Sequence, residues 1–267
     1  MSEAGFALFY RLLTGIECIL YSILMAIFFR LFMDGIQNRR QLWKNTFLIF
    51  LIYAAAYLFS LFPWFYGWMH MILITGILML LSGFLGMERS LIFLLNVLFY
   101  CINNLSMLMM RSVDFFTGEY LLRNADTPEL VFRNAAFNQL LIDAIQFLLC
   151  SLLLGIMKRQ LKKGIPCLHI RELCCLLLTP MTAILFANIL VRLLVIANDT
   201  HIFRLYEQYP AFLAIVPAMA ALFYAGILAA IAAYQRILAL QKEREKFFVA
   251  EHQFSSMQER IREVEQF

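Results

Sequence analysis

The chain predicts an all-α, polytopic membrane helix bundle that ends in a coiled-coil signalling helix. Three observations carry this prediction. Apolar stretches of about 20 residues, the length needed to cross a hydrocarbon core, recur along almost the whole sequence; basic residues gather in alternate gaps between them; and from Gln235 onward the pattern turns to charged heptads. Of the 267 residues, 63% are hydrophobic and 15% charged, with a mean hydropathy of +0.76, whereas soluble domains carry roughly 25% charged residues. A surface of this composition needs lipid as its solvent, so a lipid bilayer is the first partner. The net charge of +4 is small, and its basic residues lie in short clusters between apolar segments, which argues against nucleic acid as a partner.

Seven segments qualify as spans: Leu12 to Phe32, Thr46 to Phe62, Met69 to Leu85, Leu91 to Met110, Phe137 to Met157, Leu173 to Ile196, and Phe212 to Tyr234. The first lacks a basic leader and carries Glu17 at its middle, so it reads as a retained helix rather than a cleaved signal peptide. The gaps after spans one, three, five and seven hold Arg39, Arg40 and Lys44; Arg89; Lys158, Arg159, Lys162, Lys163 and Arg171; and Arg236, Lys242, Arg244 and Lys246. The other gaps are poorer: Phe62 to Trp68 has no charge, Arg111 to Asn134 balances three Arg with four acids, and Asn198 to Pro210 has Arg204. Positive residues near span ends stay in the cytoplasm, so the N-terminus is expected outside and the C-terminus inside a multi-pass cell-membrane protein. Residues 1–234 then form a transmembrane domain and 235–267 a cytoplasmic linker helix. The aromatic turn Phe62 to Trp68 reads as an interfacial belt, with ligand contact as the alternative. Arg111 to Asn134 reads as the longest outer loop, able to cover a pocket or form a short surface helix.

From Gln235 to Phe267 neither Gly nor Pro interrupts the helix. Leu240, Phe247, Phe254 and Ile261 recur every seven residues, and Ala250, Met257 and Val264 recur every seven at an offset of three, an a/d seam with Glu243 as its polar exception. The seam predicts a homodimer through the tail. An amphipathic helix on the membrane surface is the competitor, which Glu251, Glu259, Glu263 and Glu265 disfavour on an anionic leaflet.

Ionisable and amide side chains inside spans are costly and mark candidate sites. Arg11 and Glu17 fall in the first span, Asn103 and Asn104 in the fourth, Asp143 and Gln146 in the fifth, Asn188 and Arg192 in the sixth. The predicted topology puts most of them in the outer half of the membrane, where Asp143 with Arg192, or Glu17 with either Arg, would relieve each other's burial around a ligand cavity. Packing glue and interfacial snorkelling are the plainer roles for the same residues. Pro180 and Pro217 should kink the last two spans. The six cysteines form no C-x-x-C pair and read as packing or lipid-facing residues, so no metal and no cofactor is implied. Cys167 and His169 could form the nucleophile and base of a membrane cysteine peptidase, but no orienting acid accompanies them. Metalloprotease, serine-hydrolase and nucleotide-loop motifs are absent from the sequence.

The run Gln241, Lys242, Glu243, Arg244, Glu245, Lys246, Phe247, Phe248, followed by Glu251 to Phe267, resembles the linker of bacterial quorum-sensing receptor histidine kinases of the Agr type, whose membrane sensor precedes a coil and a GHKL ATP-binding domain. In that family such a tail runs into an Arg-His-Asp box bearing the phosphoacceptor. That box and the ATP-binding asparagine and glycine boxes are missing from these residues, which therefore cannot carry out ATP-dependent phosphorylation. The resemblance implies the sensor portion of a two-component receptor, or a kinase-less relative, receiving an extracellular signal molecule such as a peptide and reaching a kinase domain or response regulator indirectly. A transporter or permease subunit is the second expectation, and a membrane peptidase the third.

Overall fold

The computed structural model describes residues 3–33, 37–59, 67–123, 127–161, 170–196, 206 and 209–265. These form helices α1 (Glu3–Met33), α2 (Arg39–Phe59), α3 (Gly67–Leu80), the single turn α4 (Ser82–Leu85), α5 (Arg89–Arg123), α6 (Pro128–Leu161), α7 (Ile170–Ile196) and α8 (Phe212–Glu265), with no strand among the described residues. Five of them, α1, α5, α6, α7 and α8, are long and apolar enough to cross a membrane. The 14 residues of α3 reach about 21 Å at 1.5 Å per residue, short of a full hydrocarbon core. The described part of α2 has 21 residues.

The face each helix turns outward explains the hydropathy. On α1 the exposed side chains Leu8, Leu12, Ile16, Ile19, Ile23 and Ile27 follow one another at three- and four-residue steps, a continuous aliphatic stripe, while Cys18, Ser22, Met25, Phe29 and Met33 are buried on the opposite face. A soluble helix puts its apolar stripe inward and its charges outward; here both faces are apolar and the exposed one is a lipid contact. Leu148 and Leu152 on α6 and Leu178, Leu185 and Ile189 on α7 repeat the pattern.

Helix α5 is the hub, packing against α3, α6, α7 and α8 and burying Leu94, Leu95, Leu98, Ile102 and Leu105. Cross-helix bonds fix an antiparallel order. At one end of the bundle Asn134 Nδ2 donates to the Leu121 carbonyl at 2.7 Å, and the rings of Phe6 and Phe132 meet at 5.6 Å. At the other end Gln37 donates to the Leu85 carbonyl, Tyr234 Oη donates to Glu172 Oε2 at 2.8 Å, and Gln235 donates to the Gln160 carbonyl. The second of these is called the tail end, because α8 leaves the bundle there; the first is the far end. Gly86 closes α4 at the tail end with φ +61°, a left-handed cap suited to glycine.

The stretch expected as the longest outer loop is largely helical, which corrects the sequence reading. Helix α5 runs on to Arg123 and α6 starts at Pro128, with Thr127 Oγ1 accepting from the Leu130 N–H at 3.3 Å and proline at the first helical position. The polar residues that suggested a loop satisfy one another instead. Arg111 pairs with Asp114 one turn on at 3.5 Å, and Asn138 Nδ2 of α6 donates to Asp114 Oδ1 at 3.0 Å.

Both prolines lie inside continuous helices. Pro217 has no N–H for the carbonyl of Leu213, four residues earlier. Ser112 Oγ of α5 supplies the missing donor, at 2.6 Å. A proline break in the last span is thus stitched to the hub helix.

Beyond Tyr234 the same helix continues. α8 has 54 residues, about 80 Å at 1.5 Å per residue. Leu240, Phe247, Phe254 and Met257 are exposed along it, as is Ala250, and Phe248 and Val249 widen the apolar surface beside the seam. The side chains of Ile261 and Val264 lie outside the described residues, as do the Phe62 to Tyr66 turn and the Lys162–His169 segment.

Candidate functional site

Three cavities share walls and together form a polar shaft that descends from the far end to the middle of the bundle. The outermost, about 520 Å³, lies between Phe6 and Tyr10 of α1, Arg111, Asp114 and Gly118 of α5, and Asn134 and Asn138 of α6. Arg111, Asp114 and Gln139 also line a second cavity of about 210 Å³, joined by Glu17, Asp143 and Gln146. Glu17 and Gln146 in turn line the innermost, about 330 Å³, with Asn103, Asn104 and Asn188 and an aromatic wall.

Helical spacing puts these side chains on common faces. Gln139, Asp143 and Gln146 sit at i, i+4 and i+7 of α6, and Asn104, Met107, Arg111 and Asp114 follow one another at three- and four-residue steps on α5. Gln139 Nε2 donates to both oxygens of Asp143, at 2.8 and 3.0 Å, holding that carboxyl group toward α1. Gln146 Nε2 donates to Tyr21 Oη at 3.2 Å and bridges α6 to α1.

Six of the eight residues expected at a site come together here: Glu17, Asn103, Asn104, Asp143, Gln146 and Asn188. Arg11 is exposed on α1 and outside the shaft walls, and the side chain of Arg192 lies outside the described residues. The expected pairing of Glu17 with Arg192 lies outside the described residues, and Arg11 is exposed away from the shaft. Among the described residues Glu17 and Asp143 line the same cavity, two carboxyl groups brought together where α1 packs against α6. Among the described residues the cation of the shaft is Arg111, which the sequence reading had placed in a loop.

No protein-family model, curated protein or solved structure matches the chain.

The inner wall was not foreseen from sequence. Tyr53 of α2, His70 and Thr75 of α3, and Asn96 and Tyr100 of α5 form a box of two hydrogen-bonded groups, joined by the edge-on contact of the Tyr53 and His70 rings. Tyr53 Oη donates to Asn96 Oδ1, Asn96 Nδ2 donates to Thr75 Oγ1 and at 3.3 Å to the Met71 carbonyl, and Tyr100 Oη shares a hydrogen bond with His70 Nδ1. The His70 ring also meets Tyr57 and Tyr100 edge-on, at 5.8 and 5.7 Å. The signal in sequence is one or two polar residues on each of three apolar helices, a pattern that acquires meaning only once the helices are paired. The box makes the inner end of the shaft rigid and aromatic, able to take an apolar or ring-bearing group. The two outer cavities take something polar.

Proposed function

We propose that the chain is the signal-receiving membrane module of a two-component receptor, with seven crossings, the far end outside the cell, and the tail in the cytoplasm as a homodimeric coil. The heptad seam and the tail's likeness to Agr-type receptor linkers support the coil. The basic residues Arg40, Lys44, Arg89, Lys158 and Arg159, all on helix ends at the tail end of the bundle, support the orientation. An extracellular signal, with a peptide as the candidate, occupies the shaft; a kinase domain joined to the tail is the output.

The observation that carries the reading is the stitch between shaft and tail. Arg111 and Asp114 line the shaft, and Ser112, on the same turn of α5, donates to the Leu213 carbonyl freed by Pro217 in α8. Occupancy that turns this part of α5 acts on α8 at its proline break. From there an unbroken helix runs through the bundle, where Tyr224 Oη donates to the Leu153 carbonyl at 2.7 Å, into the exposed seam. A signal drives such a relay only by binding the two arrangements with different affinity.

A shaft-filling substitution stands in for the signal. With cysteines introduced in turn at Phe247 and Ala250, Ala135→Trp, beside the outermost cavity, is expected to change the ratio of the two tail crosslinking yields. Adding Ser112→Ala is expected to abolish that change while the thermal midpoint shows a folded protein. An unchanged ratio in folded Ala135→Trp contradicts the relay. A permease subunit is the second reading, favoured by the carboxyl-lined shaft; it requires a passage at the tail end, where Met33, Leu78 and Leu85 are fully buried.

A further inference from the structure

The outer part of the shaft is rich in acceptors. Its two outer cavities are walled by three carboxyl groups, Glu17, Asp114 and Asp143, and by the single cation Arg111 among the described residues. Asn138 adds an independent observation. It is 9% exposed, and because its amide nitrogen donates to Asp114 Oδ1, the position of its carbonyl oxygen is fixed. That oxygen is buried on the wall of the outermost cavity and accepts from nothing. Asn103 Oδ1, on the innermost cavity, is likewise buried without a donor. Native interiors rarely leave acceptors unmet, so these are sockets for a ligand's N–H groups. A carboxylate or phosphate would lie among carboxyl groups whose one described cation, Arg111, already pairs with Asp114, and would give the Asn138 oxygen no N–H donor.

We propose that the shaft binds an organic cation, a ligand whose ammonium or guanidinium group sits against Asp114, Asn138 and Asp143 and whose apolar or aromatic body points toward the wall of Tyr21, Tyr57 and Tyr100. A charge-assisted bond from such a group satisfies the Asn138 oxygen and compensates the excess carboxyl groups together, and the tyrosine faces favour a cation that enters more deeply. The inference rests on the shaft being the signal-receiving site and names the class of molecule it receives.

The test uses the purified full chain in lipid nanodiscs and three probes with one ring skeleton: tyramine, its alcohol analogue tyrosol, and the anion 3-(4-hydroxyphenyl)propionate. Tyramine is expected to bind saturably and at least about tenfold more tightly than tyrosol, with no saturable binding of the anion. Asn138→Leu, which keeps volume and removes the acceptor, and Asp114→Asn are each expected to weaken tyramine about tenfold and leave tyrosol unchanged. Equal binding of tyramine and tyrosol overturns the inference, as does tyramine binding that is indifferent to Asn138→Leu. Should Asp114→Asn fail to fold, the wild-type amine-to-alcohol ratio and Asn138→Leu decide. Tyramine binding without any change in tail crosslinking upholds the cation site and defeats the relay. A crosslinking change driven by the neutral or anionic probe does the reverse.

Discussion

Phe254→Glu is expected to abolish tail dimerisation while leaving membrane insertion intact. Phe254 is 65% exposed in the single chain and has no packing role there, so replacing it leaves the bundle untouched. In a dimeric coil it becomes a seam residue, where each new carboxylate is desolvated against its twin. The cost of about 2 kcal/mol or more per helix corresponds to a roughly thousandfold loss of association across the pair. Disulfide formation through Ala250→Cys reads this directly, and the yield is expected to fall to the level of a cysteine off the seam. An unchanged yield contradicts the seam. A surface-lying tail behaves differently, since the same substitution reduces its lipid contact without changing crosslinking.

The second large effect is expected within the bundle. Asn96→Leu removes a fully buried side chain that hydrogen-bonds from α5 to both α2 and α3. Leucine has similar volume, so packing changes little, but Tyr53 Oη, Thr75 Oγ1 and the Met71 carbonyl each lose a partner. Single interhelical bonds in membranes are worth about 0.6 kcal/mol on average and up to about 1.7, so three broken at once make about 2–3 kcal/mol. Steric trapping or thermal unfolding in detergent measures the loss. A stability within about 0.5 kcal/mol of wild type, the range expected of a surface substitution, contradicts a structural role for the box. Tyr53→Phe, which removes one of the three bonds, is the graded control.

The helical class and the apolar character of five long helices were legible in sequence because each depends on a pattern within a single segment. The site was legible only in part. Glu17, Asp143 and Gln146 stood out as polar residues inside apolar runs, and the bundle does bring them together. Arg111 and Asp114 did not stand out, because charge at a span end resembles the start of a loop, and Asn138 is an uncharged amide at the very start of its span. What keeps these residues helical is mutual satisfaction between α5 and α6, which hydropathy does not record. That Glu17 and Asp143 share one cavity was not legible either, because it depends on how α1 and α6 pack against each other. The Tyr53, His70 and Asn96 box depends on three helices at once, and no spacing within one of them announces it.

The account depends on which face of the membrane each end of the bundle occupies. The most direct measurement is labelling of intact cells with a membrane-impermeant maleimide, using variants whose native cysteines are replaced and which carry one new cysteine. Arg133→Cys lies at the far end and Arg244→Cys on the exposed tail. The account predicts that Arg133→Cys labels in intact cells and that Arg244→Cys labels only after permeabilisation. Labelling of Arg244→Cys in intact cells contradicts the orientation, and with it the receptor.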